Sequence, residues 1–247
     1  MPTYSRRGLH GRVVHDIGLR ILRGDLAPGA MVEHDAVERE YDVSRTVVRE
    51  AIKVHSAKGL LEARPKRGTV VRERAAWNLL DPDLVAWQFE GKPDQAFILA
   101  LNELRLIFEP AGAGLAAERA TDDEVDAIQA ALEKMRAQHG NVEAVTATDI
   151  ALHRAILTAT HNELLVRFES LIEAGLRVRH HLAFSTNWDA TYLDLHAEVV
   201  AAIAQRLPGA AESAMRTLLV TAAVDAERAL AAFGGAHAEA LEPGATR

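Results

Sequence analysis

Ser44, Arg45, Thr46, Arg49 and Lys53 lie at the start and along one side of the segment VSRTVVREAIKVHSAKG, whose apolar positions Val47, Val48, Ala51 and Ile52 recur at helical spacing. Lys66, Arg67 and Gly68 follow in the turn RPKRG, between the β-type runs GLLEA and GTVVRE. An arginine can donate two hydrogen bonds to O6 and N7 of guanine, and a helix entering the major groove presents its N-terminal residues to the base edges. The unpaired N–H groups and dipole of a helix's first turn also favour a phosphate. Lys66 and Arg67 suit the DNA backbone or the minor groove. The helix alone is equally consistent with a solvated charged face, a common pattern. The basic hairpin directly after it tips the reading to duplex DNA.

A second set of residues is carboxylate and imidazole. Asp149 and His153 are four apart, so on a helix they stand one above the other on one face. Spacing alone leaves this as an ordinary surface pair worth about 0.2–0.5 kcal/mol, and Arg105 with Glu109 has the same spacing and the same plain reading.

The elements that must carry these groups are legible from periodicity and punctuation. GRVVHDIGLRILRG repeats apolar residues at Val13, Val14, Ile17, Ile21 and Leu22 and stops at Gly24. A short helix is expected over about Asp35 to Tyr41, and a third from Ser44, whose hydroxyl can cap the first turn, to about Lys58 before Gly59. Three helices and a two-stranded hairpin make a winged helix-turn-helix over residues 1–75. Residues 76–93, with the breakers Asp81-Pro82 and Gly91-Lys92-Pro93, read as a linker with one short helix near Leu84 to Phe89. Residues 94–233 hold about six helices and nothing resembling a strand, giving a mainly α chain. Thr121 with Glu124 forms a capping box and Asn162 precedes ELLVRFESLI. Residues 234–247 are expected to be disordered.

The composition excludes several classes. Cysteine is absent from the 247 residues, removing disulfide frameworks, thiolate zinc sites and Cys nucleophiles together, and suiting a reducing cytoplasm. The stretch MPTYSRRGLHGRVVHDI has no apolar signal-peptide core and no run of about 18 apolar residues occurs, so neither secretion nor a membrane span is expected. The formal charge of −7 hides an asymmetry: residues 1–75 carry 15 Lys and Arg against 10 Asp and Glu, a net of +5, leaving −12 for the rest. Opposite signs of this kind are expected when only the first part approaches phosphates.

LAPGAMV, VSRTVVREAI and KGLLEARPKRGTVV, in that order, resemble the DNA-binding domain of the GntR superfamily of bacterial transcription regulators. ELRLIFEPAGAGLAAERATDDEVDAI, TDIALHRAIL and LDLHAEVVAAI are similar to the all-helical ligand-binding FCD domain of its FadR subfamily, over about Gln95 to Ala232. WNLLDPDLVAWQFE looks most like the linker of members that respond to galactonate and related sugar acids. The resemblance implies a cytoplasmic homodimeric regulator, a repressor, that binds an inverted repeat in double-stranded DNA under the control of a small carboxylic acid. It also implies that Arg105 grips the effector carboxylate. Asp149, His153 and His196 match the family's metal ligands, a set suited to divalent Zn, Ni, Mn or Fe. Two positions depart from the pattern. Leu218 stands where the family often has a further His, and Glu33, His34 and Asp35 stand where a basic residue often opens the second helix. His180 and His181 read as polar filler at a bundle end, and Trp188 suits a cover for the pocket mouth, although a lone Trp is more often core.

Other functional classes fit less well. A di-iron helical enzyme needs Glu-x-x-His pairs on two helices, and no Glu here is followed three residues later by His. A metal phosphohydrolase needs adjacent His-Asp within the bundle, but His15-Asp16 and His34-Asp35 both fall in the basic domain. A ligand sensor with a vestigial DNA-binding domain is favoured only by the acids around Glu33.

Overall fold

In the computed structural model, which describes residues 8–90, 94–138, 141–183 and 190–239, the chain divides after Asp94 into two units. The first begins with α1 (Gly8–Leu22), β1 (Met31–Val32), α2 (His34–Tyr41) and α3 (Arg45–Ala57). It continues with β2 (Leu61–Arg64), β3 (Gly68–Val71) and α4 (Pro82–Trp87). Apolar stripes of the three main helices meet in one core, where Val13, Ile17, Val37, Val48, Ala51 and Leu61 are almost wholly buried. Asp42 closes α2 in the left-handed conformation at φ 50°, its N–H donating to the Glu38 carbonyl, and this makes the tight turn into α3. Asp tolerates that conformation better than most residues.

The sheet has one strand more than the sequence reading supplied. Its order is β1-β3-β2, all antiparallel, with Met31 opposite Val70 and Leu61 opposite Val71. A two-residue strand shows no alternation to read. It exists because β3 has a second edge to satisfy, and the Val71 carbonyl and N–H pair with Gly29 and Ala30 just before β1.

The stretch read as a linker also differs. Trp77, Leu84 and Trp87 belong to the core of the first unit. Trp87 lies so close to α1 that a Cβ on Gly18 would fall 2.4 Å from its ring. Lys58, at the end of α3, is buried and holds Asp81 at 2.7 Å and Asp83 at 2.5 Å. Pro82 opens α4 without freeing it from the domain.

The second unit is all helical among the described residues. It comprises α5 (Gln95–Arg119), α6 (Asp122–Ala137), α7 (Val142–Thr158), α8 (Glu163–Val166), α9 (Glu169–Ala183), α10 (Ala190–Ala204) and α11 (Pro208–Glu239). Ala113, Ala116 and Ala117 give α5 a face of small side chains, and α11 packs closely along it. The capping box at Thr121 and Glu124 forms as expected, and Asn162 caps α8. The run after Asn162 breaks into α8 and α9 at Phe168, which stacks on Phe108 of α5 at 4.9 Å between ring centres. α11 runs to Glu239 and so includes residues 234–239. The Ala- and Glu-rich residues around the Gly pair are strong helix formers and offset the roughly 1 kcal/mol that each Gly costs. Residues 240–247, Trp188, and the side chains of His180 and His181 lie outside the described residues.

Candidate functional site

The basic residues of the first unit occupy its exposed edge. Ser44, Arg45, Thr46, Arg49 and Lys53 are all exposed on α3, while Val48, Ala51 and Ile52 face the core. Ser44 holds the N-cap position in extended conformation, but contrary to expectation its hydroxyl makes no capping bond. The first turn is thus left without the side-chain acceptor that would compete with a phosphate for its N–H groups. Arg45 Nε lies 3.9 Å from Glu38 and Lys53 Nζ 2.7 Å from Glu50, exposed contacts that cost little to exchange. Lys66, Arg67 and Gly68 are exposed at the hairpin tip, with Lys66 at φ 62° and Gly68 at φ 76° turning the chain. His34, at the position departing from the family pattern, hydrogen-bonds Thr69 on β3 at 2.9 Å. It ties the start of α2 to the wing, while Glu33 and Asp35 stay exposed.

In the second unit the structure overturns the surface-pair reading of Asp149 and His153. Both are buried, at 0% and 2% exposure, and α10 brings His196 to them, also 2% exposed. Asp149 Oδ1 lies 3.4 Å from His153 Nε2 and 3.2 Å from His196 Nε2. Ligand atoms of the three residues all fall within 4.8 Å of one another. Donors around a tetrahedral ion with bonds of about 2.0–2.1 Å are about 3.3 Å apart, a spacing that the two distances from Asp149 match.

The remaining atoms of these side chains are held from behind. His196 Nδ1 is 2.7 Å from the Tyr192 carbonyl, so that nitrogen donates and Nε2 keeps its lone pair. Nε2 is buried without a hydrogen-bond partner among the described residues. Such an atom is costly to bury unless it finds a partner, and a cation beside Asp149 Oδ1 would be one. The Tyr192 hydroxyl donates to Asp149 Oδ2, leaving Oδ1 toward the imidazoles. His153 Nδ1 is 2.7 Å from Glu109 Oε2, a charge contact lacking ideal hydrogen-bond alignment. Partners behind the ring nitrogens are the usual way of aiming a histidine at a metal.

Arg105 forms the ion pair with Glu109 that helix spacing allows, Nε to Oε1 at 2.5 Å, but the pair is buried and adjoins the cluster. α9 makes room for the guanidinium with Gly175, where a Cβ would stand 3.1 Å from Arg105 Nη1. Burial opposes charge on Glu109, yet Arg105 and His153 hold its carboxyl down to about 2. Burial likewise opposes the protonated form of His153, but Glu109 and Asp149 push its ring up to about 9. For His196 burial wins and the ring is driven toward neutral, despite Asp149. Leu218 is buried in the main helical core and offers no ligand atom. Sequence alone marks Glu109 only as a possible partner of Arg105 and does not mark Tyr192. The only signal was that each lies four residues from a site residue on the same helix.

A winged helix-turn-helix exposing its basic edge, on one chain with an all-helical unit that buries Arg105, Glu109, Asp149, His153 and His196, is the plan of a DNA-binding regulator with a second domain. Residues 9–71 match the bacterial regulatory proteins of the gntR family and residues 100–221 match the FCD domain. The galactonate operon transcriptional repressor of Escherichia coli (strain K12) is 34% identical over 214 residues, 85% of this chain and 93% of that protein. The HTH-type transcriptional regulator LutR of Bacillus subtilis (strain 168) is 31% identical over 202 residues, 79% and 90% of the two chains. Among solved structures, Lar, which controls expression of the Listeria monocytogenes agr system, superposes with a TM-score of 0.61 at 16% identity, covering 90% of this chain and 98% of that one. The chain belongs to the GntR family of bacterial transcription regulators, in the group whose second domain is FCD. This is a family of DNA-binding regulators and not of enzymes. No helix among the described residues is long and apolar enough to cross a membrane.

Proposed function

We propose that this regulator is a cytoplasmic repressor whose operator binding is controlled by a small sugar acid such as galactonate, held in the second unit beside a divalent metal. The observation that carries the reading is the convergence of Asp149, His153 and His196 as buried ligands, each aimed by a group behind it. Bound there, a cation would supply a Lewis-acidic anchor for oxygen donors. With Leu218 adding no ligand atom, a cation held by these three side chains and expanding beyond four-coordination would take the carboxylate and hydroxyl of a 2-hydroxy acid, and Arg105 would take the other carboxylate oxygen through its planar fork. The galactonate repressor of Escherichia coli, similar along most of this chain, makes a sugar acid the first class to try. Calorimetric titration of galactonate with and without Zn(II), Ni(II), Mn(II) or Fe(II) tests the site. Metal should tighten galactonate and galactonate should tighten metal by the same factor, because coupling is reciprocal. Equal affinities with and without every metal would rule out a shared site.

Ser44, Arg45, Thr46, Arg49 and Lys53 would face the major groove, and Lys66, Arg67 and Gly68 would approach the backbone or minor groove. Arg49→Ala should cost the preferred operator on the order of 1–3 kcal/mol and remove discrimination at its base pair. Lys66→Ala should weaken all sequences alike and lower the salt slope by about 1. Gel-shift titrations on specific and random duplexes across salt concentrations separate the two. Equal loss of specificity from both would contradict the division of labour. Failure of the wild type to shift its own upstream DNA would favour a vestigial DNA-binding domain.

One winged domain spans too few base pairs for tight selection, so two copies should bind an inverted repeat as a homodimer. Light scattering after size exclusion should return twice the 26.9 kDa chain mass. A monomer at micromolar concentration that still binds one half-site tightly would refute this.

A further inference from the structure

Glu109 is buried to 1% exposure with a carboxylate whose two oxygens serve different masters. Oε1 accepts from Arg105 Nε at 2.5 Å, and Oε2 stands 2.7 Å from Nδ1 of His153. Arg105 and Glu109 share α5, while His153 comes from α7, so one carboxylate joins the helix of the effector-gripping Arg105 to one of the two helices that bear the proposed metal ligands. Arg105 is itself 4% exposed and passes against Gly175, so it has little room to leave Glu109 without a ligand to receive it.

We infer that Glu109 is a positioning residue that couples effector and metal by sharing one negative charge between Arg105 and His153. The inference rests on the proposed metal reading and adds the group through which the two ligands sense each other. Metal on Nε2 of an imidazole makes Nδ1–H a stronger donor, and a carboxylate behind that N–H raises the ligand's basicity. Loading His153 therefore draws Glu109 toward it and loosens Arg105 for an incoming carboxylate. Conversely, a carboxylate that engages Arg105 leaves the charge of Glu109 to His153, which then holds metal more tightly. Both directions describe one positive coupling.

The test needs metal alone as the probe, so an error in the identity of the sugar acid does not affect it. Zn(II) affinity is measured on the full chain by competition with a chromophoric chelator for wild type, H153A, E109Q, R105A and the R105A/E109Q pair. E109Q should weaken Zn(II) by about 10–100-fold although Glu109 contributes no ligand atom. R105A, which mimics withdrawal of the guanidinium, should tighten Zn(II) severalfold in the wild-type background and leave it unchanged on E109Q. A simple through-space effect of losing a cation would persist on E109Q, and equal effects of R105A in both backgrounds overturn the proposal. So does wild-type affinity in E109Q when H153A has lost the metal, an outcome that leaves the metal site standing. Failure of the wild type to bind Zn(II) removes the site and the proposal together. Should E109Q not fold, E109D keeps the charge but is one methylene too short to reach both partners, and it should abolish the response to R105A. Imidazole NMR on the unaltered Zn(II)-loaded protein gives an independent decision: the Nδ1 proton of His153 should be downfield and slow to exchange, and a rapidly exchanging proton there overturns the assignment.

Discussion

His153→Ala should yield a regulator that binds its operator normally without effector but no longer answers to it. The substitution removes one of the three buried side chains proposed to hold the metal, leaving Asp149 and His196, and metal affinity should fall on the order of 100-fold or more, beyond the 10–100-fold typical of losing a group behind a ligand. Stability supplies a second readout. A metal that binds only the folded chain stabilises it by about 2.7 kcal/mol at 100 times its Kd, so wild type should melt higher with metal and the variant should not. Glu109 keeps Arg105 as its partner in the variant, so the second unit should still fold. The exposed basic residues belong to the other unit, and effector-free affinity for DNA should stay within about twofold, below the tenfold that 1.4 kcal/mol represents. A metal-dependent rise in melting temperature that survives the substitution would show that His153 is not a ligand.

Lys58→Ala should be the most damaging single substitution in the first unit. Its ammonium is buried between Asp81, which caps α4, and Asp83, which has no exposed surface. Removing it leaves two carboxylates behind the end of α3 without their cation, and breaking a buried pair in this way costs about 3–5 kcal/mol. Lys58→Met combined with Asp83→Asn should recover part of the loss, because it removes the wholly buried carboxylate and leaves only Asp81, which is partly exposed and accepts from the N–H groups that open α4. Denaturant unfolding followed by tryptophan fluorescence reports on this region, since Trp77 and Trp87 both lie in its core. DNA affinity should fall in parallel, as the pair anchors the C-terminal end of α3. A loss below about 1 kcal/mol would show that the segment from Asp81 to Trp87 is dispensable to the domain and acts as the linker its composition suggests.

Local order in the chain determined the winged helix-turn-helix, the helical second unit and the identity of the exposed basic face. Those features follow from short-range physics: helical periodicity in α1 and α3, the left-handed glycine after α3, the basic turn between two β-type runs, and the capping box at Thr121 and Glu124. The small strand β1 was invisible because its pairing is set by the free edge of β3 and not by its own two residues. Tertiary structure alone decided the assignment of Trp77, Leu84 and Trp87, since a short helix flanked by Pro reads the same whether it bridges domains or fills the groove above Gly18. It also decided the chemistry of Asp149. In sequence Asp149 and His153 are an i, i+4 pair indistinguishable from a solvated one. Only when α5 and α10 close over α7 do they lose water, gain His196, and acquire Glu109 and Tyr192 behind them. Burial turns a pair worth a few tenths of a kcal/mol into a cluster whose charges must be compensated from within, by the hydrogen bonds and ion pairs of Tyr192 and Glu109 or by a bound cation, because solvent no longer does so.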